Sequence, residues 1–493
     1  EELEDAINEA IAEADDELME KFFEGEEFTE EERFRGFEEG VAAGIIAPVY
    51  CGDSVTLRGI EMLLHEFKKI FPSAEEVASE VATDADGKEV KLTCAEDEPL
   101  AAYVFKTVAD PFVGKLSFVK VISGVLSSAS AVTNSRTGNP ERLGKLVLMH
   151  GKNQENIEVV GAGDICAITK LADAETGDTL CDPKRVVSCA KTEFPYACYR
   201  MAMYPKGKTD DSKIAGALAR IMEEDATVAY ENNAETKQQI LAGLGEQHLD
   251  VVCSKLKAKF GVELGLEKPR VPYRETIRKK VKVQGKHKKQ SGGHGQYGDV
   301  WIEFEPTESE EMVFEEAVFG GSVPRNFFPA VEKGLREACK VGMLAGYPMV
   351  GVLGRLVDGS YHPVDSNDMS FQMAARLAYK AGIPQAGPAI LEPIGSLKVV
   401  VPDDHTGDII GDVNKRRGRV LGMNPVEGED GYSEVEAEVP MSEMHDFTTS
   451  LRSSTQGRGS FTFAFDHYEE LRDEGLKQAV IEEAKQWMTE EKE

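Results

Sequence analysis

One order of predicted strands and helices occurs twice in this chain, and that repeat limits what the chain can fold into. The hydrophobic pattern predicts strand, helix, strand, strand, helix and strand from 198 to 266, and the same order again from 397 to 465. Because this βαββαβ order is typical of ferredoxin-like folds, we expect two ferredoxin-like modules. At about 100 to 200 residues per domain, a chain of 493 residues contains further domains as well.

The segments around the two modules have patterns of their own. Between the modules, residues 271–388 combine long alternating strands with two helices, which predicts an α+β domain, here called the middle domain. From 98 to 182, short strands separated by glycine turns predict a small β-barrel. We therefore expect a multidomain α/β and β protein with segments at 1–75, 76–190, 191–270, 271–388, 389–467 and 468–493, the last a helix from Tyr468 that packs on a neighbouring domain.

The first 75 residues have the pattern of the end of an α/β domain. Apolar residues at helical spacing predict a helix over 3–22 that Gly25 ends, and Thr29 with Glu32 forms a capping box for a second helix. A short apolar strand at Ile45–Tyr50 precedes a third helix. Because so few strands cannot build a sheet, we expect the remaining strands upstream of this sequence.

Charge is distributed unevenly along the chain, whose formal net charge is −32. Residues 1–100 hold 30 Asp and Glu against 8 Lys and Arg, whereas from 268 to 290 ten cations accompany one acid, Glu275. Because like charges repel unless an anion lies near, we interpret this basic stripe as a phosphate-binding surface, with a solvated strand face as the alternative. The candidate RNA contacts are Lys286, Lys288 and Lys289 in the stripe, and Lys415, Arg416 and Arg417 where a helix is predicted to end. A solvated cationic helix end is the alternative for the second group.

Several classes of site are not indicated. No complete GxxxxGK[ST] phosphate loop occurs, so we expect neither nucleotide hydrolysis nor a catalytic residue among these residues. Eight cysteines without a CxxC pair fit reduced thiols better than disulfides or a metal site. No apolar run approaches the roughly 18 residues of a membrane span, so we expect a cytoplasmic protein without a membrane partner.

Motifs in several of these segments resemble bacterial translation elongation factor G, in the order in which that family has them. They are Asp110–Leu116, Gly245–Asp250, Ser291–Gly298, Tyr361–Ser366, and Gly411–Asp412 with Arg416–Gly418. The resemblance covers essentially the whole chain. It implies the second to fifth domains of that factor, with an S5-like fold for the middle domain, and a remnant of the α/β GTPase domain at the beginning.

The resemblance also implies a function. The family consists of ribosome-dependent GTPases that move tRNA and mRNA by one codon, with GTP and magnesium as cofactors of the full-length factor; neither is expected to bind this chain alone. The expected partners are the ribosome, with its RNA and proteins, and the tRNA–mRNA complex, contacted by a monomer. Gly295, Gln296, Tyr297 and His362 correspond to the tip that reaches the decoding centre. Cys51, Gly52, Asp53 and Ser54 correspond to a remnant of the guanine loop.

Two alternatives remain open at this stage. Asp53, Ser54 and Pro363 depart from the family's usual residues, which is consistent with a divergent ribosome-binding paralogue that acts in recycling or in tetracycline protection. Outside the family, the acidic composition would also suit a scaffold that binds proteins and no RNA.

Overall fold

The computed structural model describes residues 2–76, 79–110, 114–151, 153–207, 211–290 and 295–490. The chain forms two compact units, Glu1–Phe194 with Ala215–Ala226, and Pro195–Ile214 with Thr227–Glu493. Within the described ranges, every helix is too short or too polar to cross a lipid bilayer.

The first unit begins with a group of helices. Their bounds are α1 Glu2–Ala12, α2 Asp16–Glu24, α3 Glu30–Ala42 and α4 Ile60–Ile70. The single helix predicted over 3–22 is wrong, because the Asp15 carboxylate accepts the N–H of Glu17 and caps the start of a new helix. The end at Gly25, where φ is +74°, and the Thr29–Glu32 capping box are confirmed.

The strand predicted at Ile45–Tyr50 is not formed. A strand is held in place by hydrogen bonds to a neighbouring strand, and none of the described residues pairs with this segment. The expectation that its partners lie upstream stays a prediction.

The rest of the first unit is an antiparallel β domain. Its strands are β1 Glu80–Asp84, β2 Glu89–Leu92, β3 Ala101–Asp110, β4 Gly114–Ser123, β5 Leu126–Ser127, β6 Val132–Asn134, β7 Pro140–Glu141, β8 Leu146–His150, β9 Asn153–Ile157, β10 Val159–Val160, β11 Ile165–Thr169, β12 Thr179–Cys181 and β13 Val187–Cys189. They form a sheet in the order β7-β6-β12-β3-β4-β11-β8-β9, a second sheet β13-β1-β2, and the pair β10-β5. The β domain is confirmed, but pairing among its described strands does not close a barrel. The predicted motif residues Pro111–Val113 lie outside the described part of the chain.

The first ferredoxin-like module follows the predicted order. Its elements are β14 Tyr199–Pro205, α5 Asp211–Glu224, β15 Ala229–Asn233, β16 Gln238–Gly243, α6 Glu246–Lys255 with a π-helical turn at Leu256–Phe260, and β17 Leu264–Glu267. The sheet order β15-β16-β14-β17 is antiparallel throughout and is the order that a βαββαβ unit gives.

The middle domain is a sheet covered by two helices. Its elements are β18 Arg274–Ile277, β19 Val281–Lys289, β20 Gln296–Pro306, β21 Val313–Glu316, a 3-10 turn Arg325–Phe327, α7 Phe328–Cys339, β22 Val352–Ser360 and α8 Asp368–Gly382. The sheet order is β19-β20-β22-β21, in which only β21 and β22 run parallel among the described pairs. Phe304, Leu356, Phe371 and Tyr379 form part of the core between the sheet and the helices.

The second ferredoxin-like module has the same order as the first. Its elements are β23 Pro388–Pro402, α9 Thr406–Lys415, β24 Arg419–Pro425, β25 Tyr432–Pro440, α10 Phe447–Ser454 and β26 Ser460–Glu470. The sheet order is β24-β25-β23-β26, and β18 adds to the beginning of β23.

The C-terminal helix, α11, spans Glu474–Glu490 rather than beginning at Tyr468. Tyr468 belongs to β26 because that strand continues to pair with β23 as far as Leu391. Three buried apolar side chains of α11, together with the partly buried Trp487, pack against the middle domain and the start of β23. The buried cluster includes Val480, Ile481 and Ala484 of the helix with Tyr273, Ala345 and Ile390.

Helix α8 lies directly on the backbone of two strands. A Cβ added at Gly285 of β19 would lie 2.1 Å from the Ala374 carbonyl oxygen, and one added at Gly298 of β20 would lie 2.5 Å from the Ser370 carbonyl oxygen. Both strands therefore need glycine at these two positions, and the start of α8 is held beside the start of β20.

We predict that Gly285→Ala destabilises the middle domain. The new methyl group would overlap the α8 backbone, and we expect a loss of about 3 kcal/mol in the free energy of unfolding, the upper end for an overfilled core. Urea unfolding followed by tryptophan fluorescence would measure it, since one of the two tryptophans, Trp301, lies in β20. The matched control is Gly411→Ala in α9, where a Cβ has open space and alanine favours the helix. Equal stability of the two variants would contradict the close packing.

Candidate functional site

Three strand ends meet at one end of the middle domain. The end of β19 lies there beside the start of β20, with Lys289 opposite Gln296, and β22 ends there with Ser360 opposite Asp299. We call residues 295–297 and 361–367 the tip. The predicted site residues Gly295, Gln296, Tyr297 and His362 all lie in it, whereas Ser291–His294 of the same motif lie outside the described residues.

Asp365 joins the two parts of the tip. Its Oδ1 accepts the N–H of Gly295 at 3.1 Å, and its carbonyl oxygen accepts the N–H of Tyr297 at 2.9 Å. Ser366 donates its hydroxyl to the Tyr297 carbonyl oxygen at 2.9 Å. A Cβ at Gly295 would lie 2.8 Å from the Asp365 carboxyl group, so glycine lets the two chains approach closely.

The ring of Tyr297 is held by a chain of hydrogen bonds. Its hydroxyl lies 2.8 Å from Ser360 Oγ, and Ser360 donates to Asp299 Oδ2 at 2.7 Å. Asp299 is buried and also accepts from Gln284 Nε2 at 2.8 Å. The tyrosine therefore shapes the tip through its hydroxyl, a role that the sequence did not indicate.

Gln296 and His362 differ in how they are held. Gln296 Oε1 lies 2.9 Å from His287 Nε2 on the adjacent strand. His362 Nδ1 accepts the N–H groups of Val364 at 3.3 Å and Asp365 at 3.1 Å, while half of its side chain is exposed. The rest of the imidazole is thus presented to solvent from a fixed position, next to the Tyr297 ring at 6.4 Å between centroids.

Three cations of the basic stripe form ion pairs with carboxylates from other segments of the chain. The ion pairs join Arg274 to Glu235, Arg278 to Glu470, and Lys280 to Glu303 and Glu305. The hydrogen bonds that Lys280 donates to Glu303 and then to Glu305 raise its pKa. Part of the stripe therefore has carboxylate partners that the local sequence does not reveal, and phosphate binding by the stripe stays a prediction.

The cations nearest the tip differ in their pairing. Lys286 lies 3.9 Å from Asp299 and 5.6 Å from the centre of the Tyr297 ring. Lys288 and Lys289 are exposed at the end of β19, and no ion pair within the described ranges includes them. Of the predicted RNA contacts in the stripe, these two have ammonium groups available for a phosphate.

Arg416 serves the second ferredoxin-like module itself. Its side chain is buried, donates to Asp412 at 3.0 Å and Asp446 at 2.5 Å, and lies over the Phe447 ring. A buried guanidinium with two carboxylate partners ties the end of α9 to the start of α10.

Arg417 and Lys415 lie on either side of it. Arg417 donates two hydrogen bonds to Glu392, at 2.8 and 2.9 Å, and the Glu392 hydrogen bond raises the pKa of Arg417. Lys415 is exposed. RNA contact by this cluster stays a prediction, and Lys415 is the member whose charge is available for it.

Cys51, Gly52, Asp53 and Ser54 form an exposed turn before α4. Asp53 accepts the N–H of Val55 at 2.8 Å and the hydroxyl of Thr56 at 2.6 Å, and these hydrogen bonds, Thr56 first, lower its pKa. The carboxylate thus closes its own turn. The assignment of these residues as a remnant of the guanine loop stays a prediction.

One group of possible metal ligands was not anticipated from the sequence. Ligand atoms of Glu438, Asp466 and His467 lie within 4.8 Å of one another. Arg419 already forms an ion pair with Glu438, and the hydrogen bond from the His467 ring to Asp466 raises the pKa of His467. Since these groups have partners in the protein, we assign no metal to them.

Comparisons with known proteins match successive segments of this chain to one family. Family models match the chain as follows: Elongation factor G domain 2 at 99–183, Elongation Factor G domain III at 194–268, Elongation factor G domain IV at 269–387, and Elongation factor G C-terminus at 389–479. A crystal structure of a protein from Thermus thermophilus is similar over 97% of this chain and 69% of that chain, with 37% sequence identity and a TM-score of 0.68. The tip lies inside the domain IV match.

We predict that Lys288 and Lys289 contribute to salt-dependent RNA binding. Changing both to Ala should weaken binding to purified ribosomes and reduce the slope of log affinity against log salt by about 1.4 to 1.8, since two phosphate contacts are lost. The matched control is Lys280→Ala, whose ammonium is already paired with Glu303 and Glu305. An unchanged slope in the double variant would show that the end of β19 is a solvated face.

Proposed function

Since the chain belongs to the elongation factor G family of translation factors, we propose that it acts in translocation, the movement of tRNA and mRNA through the ribosome. Family membership implies an interaction with the ribosome in general. The finer proposal is that the tip enters the decoding centre and that the protein works there as a cytoplasmic monomer.

The observation that carries the proposal is the joining of the two parts of the tip. Asp365 and Ser366 hold residues 295–297 against residues 361–367 through three hydrogen bonds. A projection fixed in this way loses little conformational entropy when it binds, so it is suited to enter a crowded RNA surface. It also presents groups that recognise RNA: the exposed part of the His362 ring and the ammonium groups of Lys288 and Lys289.

Each group has a distinct role in the proposal. The lysines neutralise phosphates beside the tip and guide its approach. His362 forms a hydrogen bond or stacks at the contact itself, while Tyr297, held through Ser360, keeps the two loops in register. The tip thereby occupies space that tRNA and mRNA must leave, and it opposes their return.

We do not assign GTP binding or hydrolysis to the residues of this chain. In this family GTP hydrolysis accompanies translocation, and GTP with magnesium supplies the energy and the change of state. The sequence contains no complete phosphate loop, and Asp53 is used within its own turn. No step of GTP hydrolysis is therefore part of the function proposed for these residues.

A divergent paralogue acting in recycling or tetracycline protection is the second candidate. Two departures from the family's usual residues favour it: Asp53-Ser54 in the turn before α4, and Pro363 in the tip. Such a paralogue would bind ribosomes through the same tip and would not accelerate the movement of tRNA.

We predict that His362→Ala slows tRNA movement by at least about tenfold in the natural protein that contains these residues, since a contact to RNA of about 1.5–3 kcal/mol is lost. The melting temperature should change little, because the ring is half exposed and accepts only two local N–H groups. Pre-steady-state measurement of translocation on purified ribosomes would test it, with His65→Ala in α4 as the exposed control. A large drop in melting temperature with normal translocation would make His362 a structural residue.

A further inference from the structure

Phe319 is the most exposed large apolar side chain within the described ranges. It is 94% exposed, and it lies in the connection that follows β21. We call residues 317–324 the Phe319 loop. A single exposed apolar residue is common, so its exposure alone indicates nothing.

The loop around Phe319 is nevertheless anchored. The N–H of Ala317 donates to the Leu356 carbonyl oxygen at 2.9 Å, Val318 packs against the core, and Val323 is buried. Two glycines with φ of +74° and +75°, Gly320 and Gly321, form the turn after the ring, and a Cβ at either would meet no other atom. The phenyl ring is therefore held out of the core by a fixed loop, with open space beside it.

The Phe319 loop lies at the same end of the middle domain as the tip. β21 runs parallel to β22, with Glu316 opposite Leu356, so both strands end in this direction. The connection then reaches Phe327, whose ring stacks on Phe371 in the first part of α8 with 4.5 Å between centroids. Since α8 begins directly after the tip, the Phe319 loop is joined to the same rigid frame.

We propose that Phe319 stacks on an unpaired RNA base and forms a third contact beside the tip. The inference rests on the proposed function, because it adds a base-stacking residue to the same RNA interface. Aromatic rings projecting from a loop are a common way for proteins to hold single-stranded bases.

RNA suits this loop better than an apolar pocket on a protein. Only one large apolar side chain projects, between Val318, which is directed to the core, and two glycines. The exposed Glu315 and Glu316 precede the loop and the exposed Arg325 follows it, so stacking of the ring, rather than net charge, is the basis of the proposed contact. A flat ring that no other exposed apolar side chain surrounds offers area for stacking on a base, and it does not form a hydrophobic interface with a protein.

A substitution series at position 319 tests the proposal in the 493-residue chain. Affinity for purified bacterial ribosomes is measured for Phe319→Ala, Phe319→Leu and Phe319→Trp. Stacking predicts that the Ala and Leu variants bind about five- to 100-fold more weakly, while the Trp variant binds as the wild type does. Phe23→Ala, at a phenylalanine that is 79% exposed in the first unit, is the matched control and should change nothing. Melting temperatures should be the same for all variants, since the ring contributes no core contact.

The other outcomes are decisive as well. Full binding by the Leu variant with weak binding by the Ala variant would show that the ring contacts an apolar protein pocket, and would overturn RNA stacking. Equal binding by all variants, in a chain that does bind ribosomes, would overturn this inference and leave the proposed function standing. Absence of ribosome binding by the wild-type chain would overturn both.

Discussion

The contact between α8 and the bare backbone of β19 and β20 is the constraint on which the middle domain depends. Because Gly285 and Gly298 have no side chains, the helix lies against the two strands, and the segment that leads into it is held beside the start of β20. The Asp365 and Ser366 hydrogen bonds can form only at that separation. Packing in the body of the domain thus determines the geometry of its tip.

Electrostatics follow from the same arrangement of strands. The chain is strongly acidic, and the sheets bring a few of its carboxylates next to cations of the basic stripe, as with Lys280 between Glu303 and Glu305. A cation paired in this way attracts RNA phosphates less than an unpaired cation does. Lys288 and Lys289 are exposed at the end of β19, and no ion pair within the described ranges includes them.

The two ferredoxin-like modules and the Thr29–Glu32 capping box could be predicted because their signals are local. Periodicity and capping depend on neighbours a few residues away. The strand predicted at Ile45–Tyr50 was wrong, because a strand also needs a partner that no local pattern reveals. The partners of site residues likewise depend on contacts distant in sequence: the motifs indicated Gln296 and His362, but Asp299 and Ser360, which hold Tyr297, are 61 residues apart. A sequence shows which groups are present, and the fold decides which of them are already paired.

Photo-crosslinking from position 364 tests the central claim most directly. Val364 lies within the tip and is 67% exposed, so a photoreactive side chain there should leave the tip intact. With the protein bound to ribosomes, we predict crosslinks from position 364 to small-subunit RNA at the decoding centre. The control position is Val55 in the first unit, which is 88% exposed, and we predict no crosslinks from it to the decoding centre. Crosslinks from position 364 that fall only on ribosomal proteins, or on RNA away from the decoding centre, would contradict it.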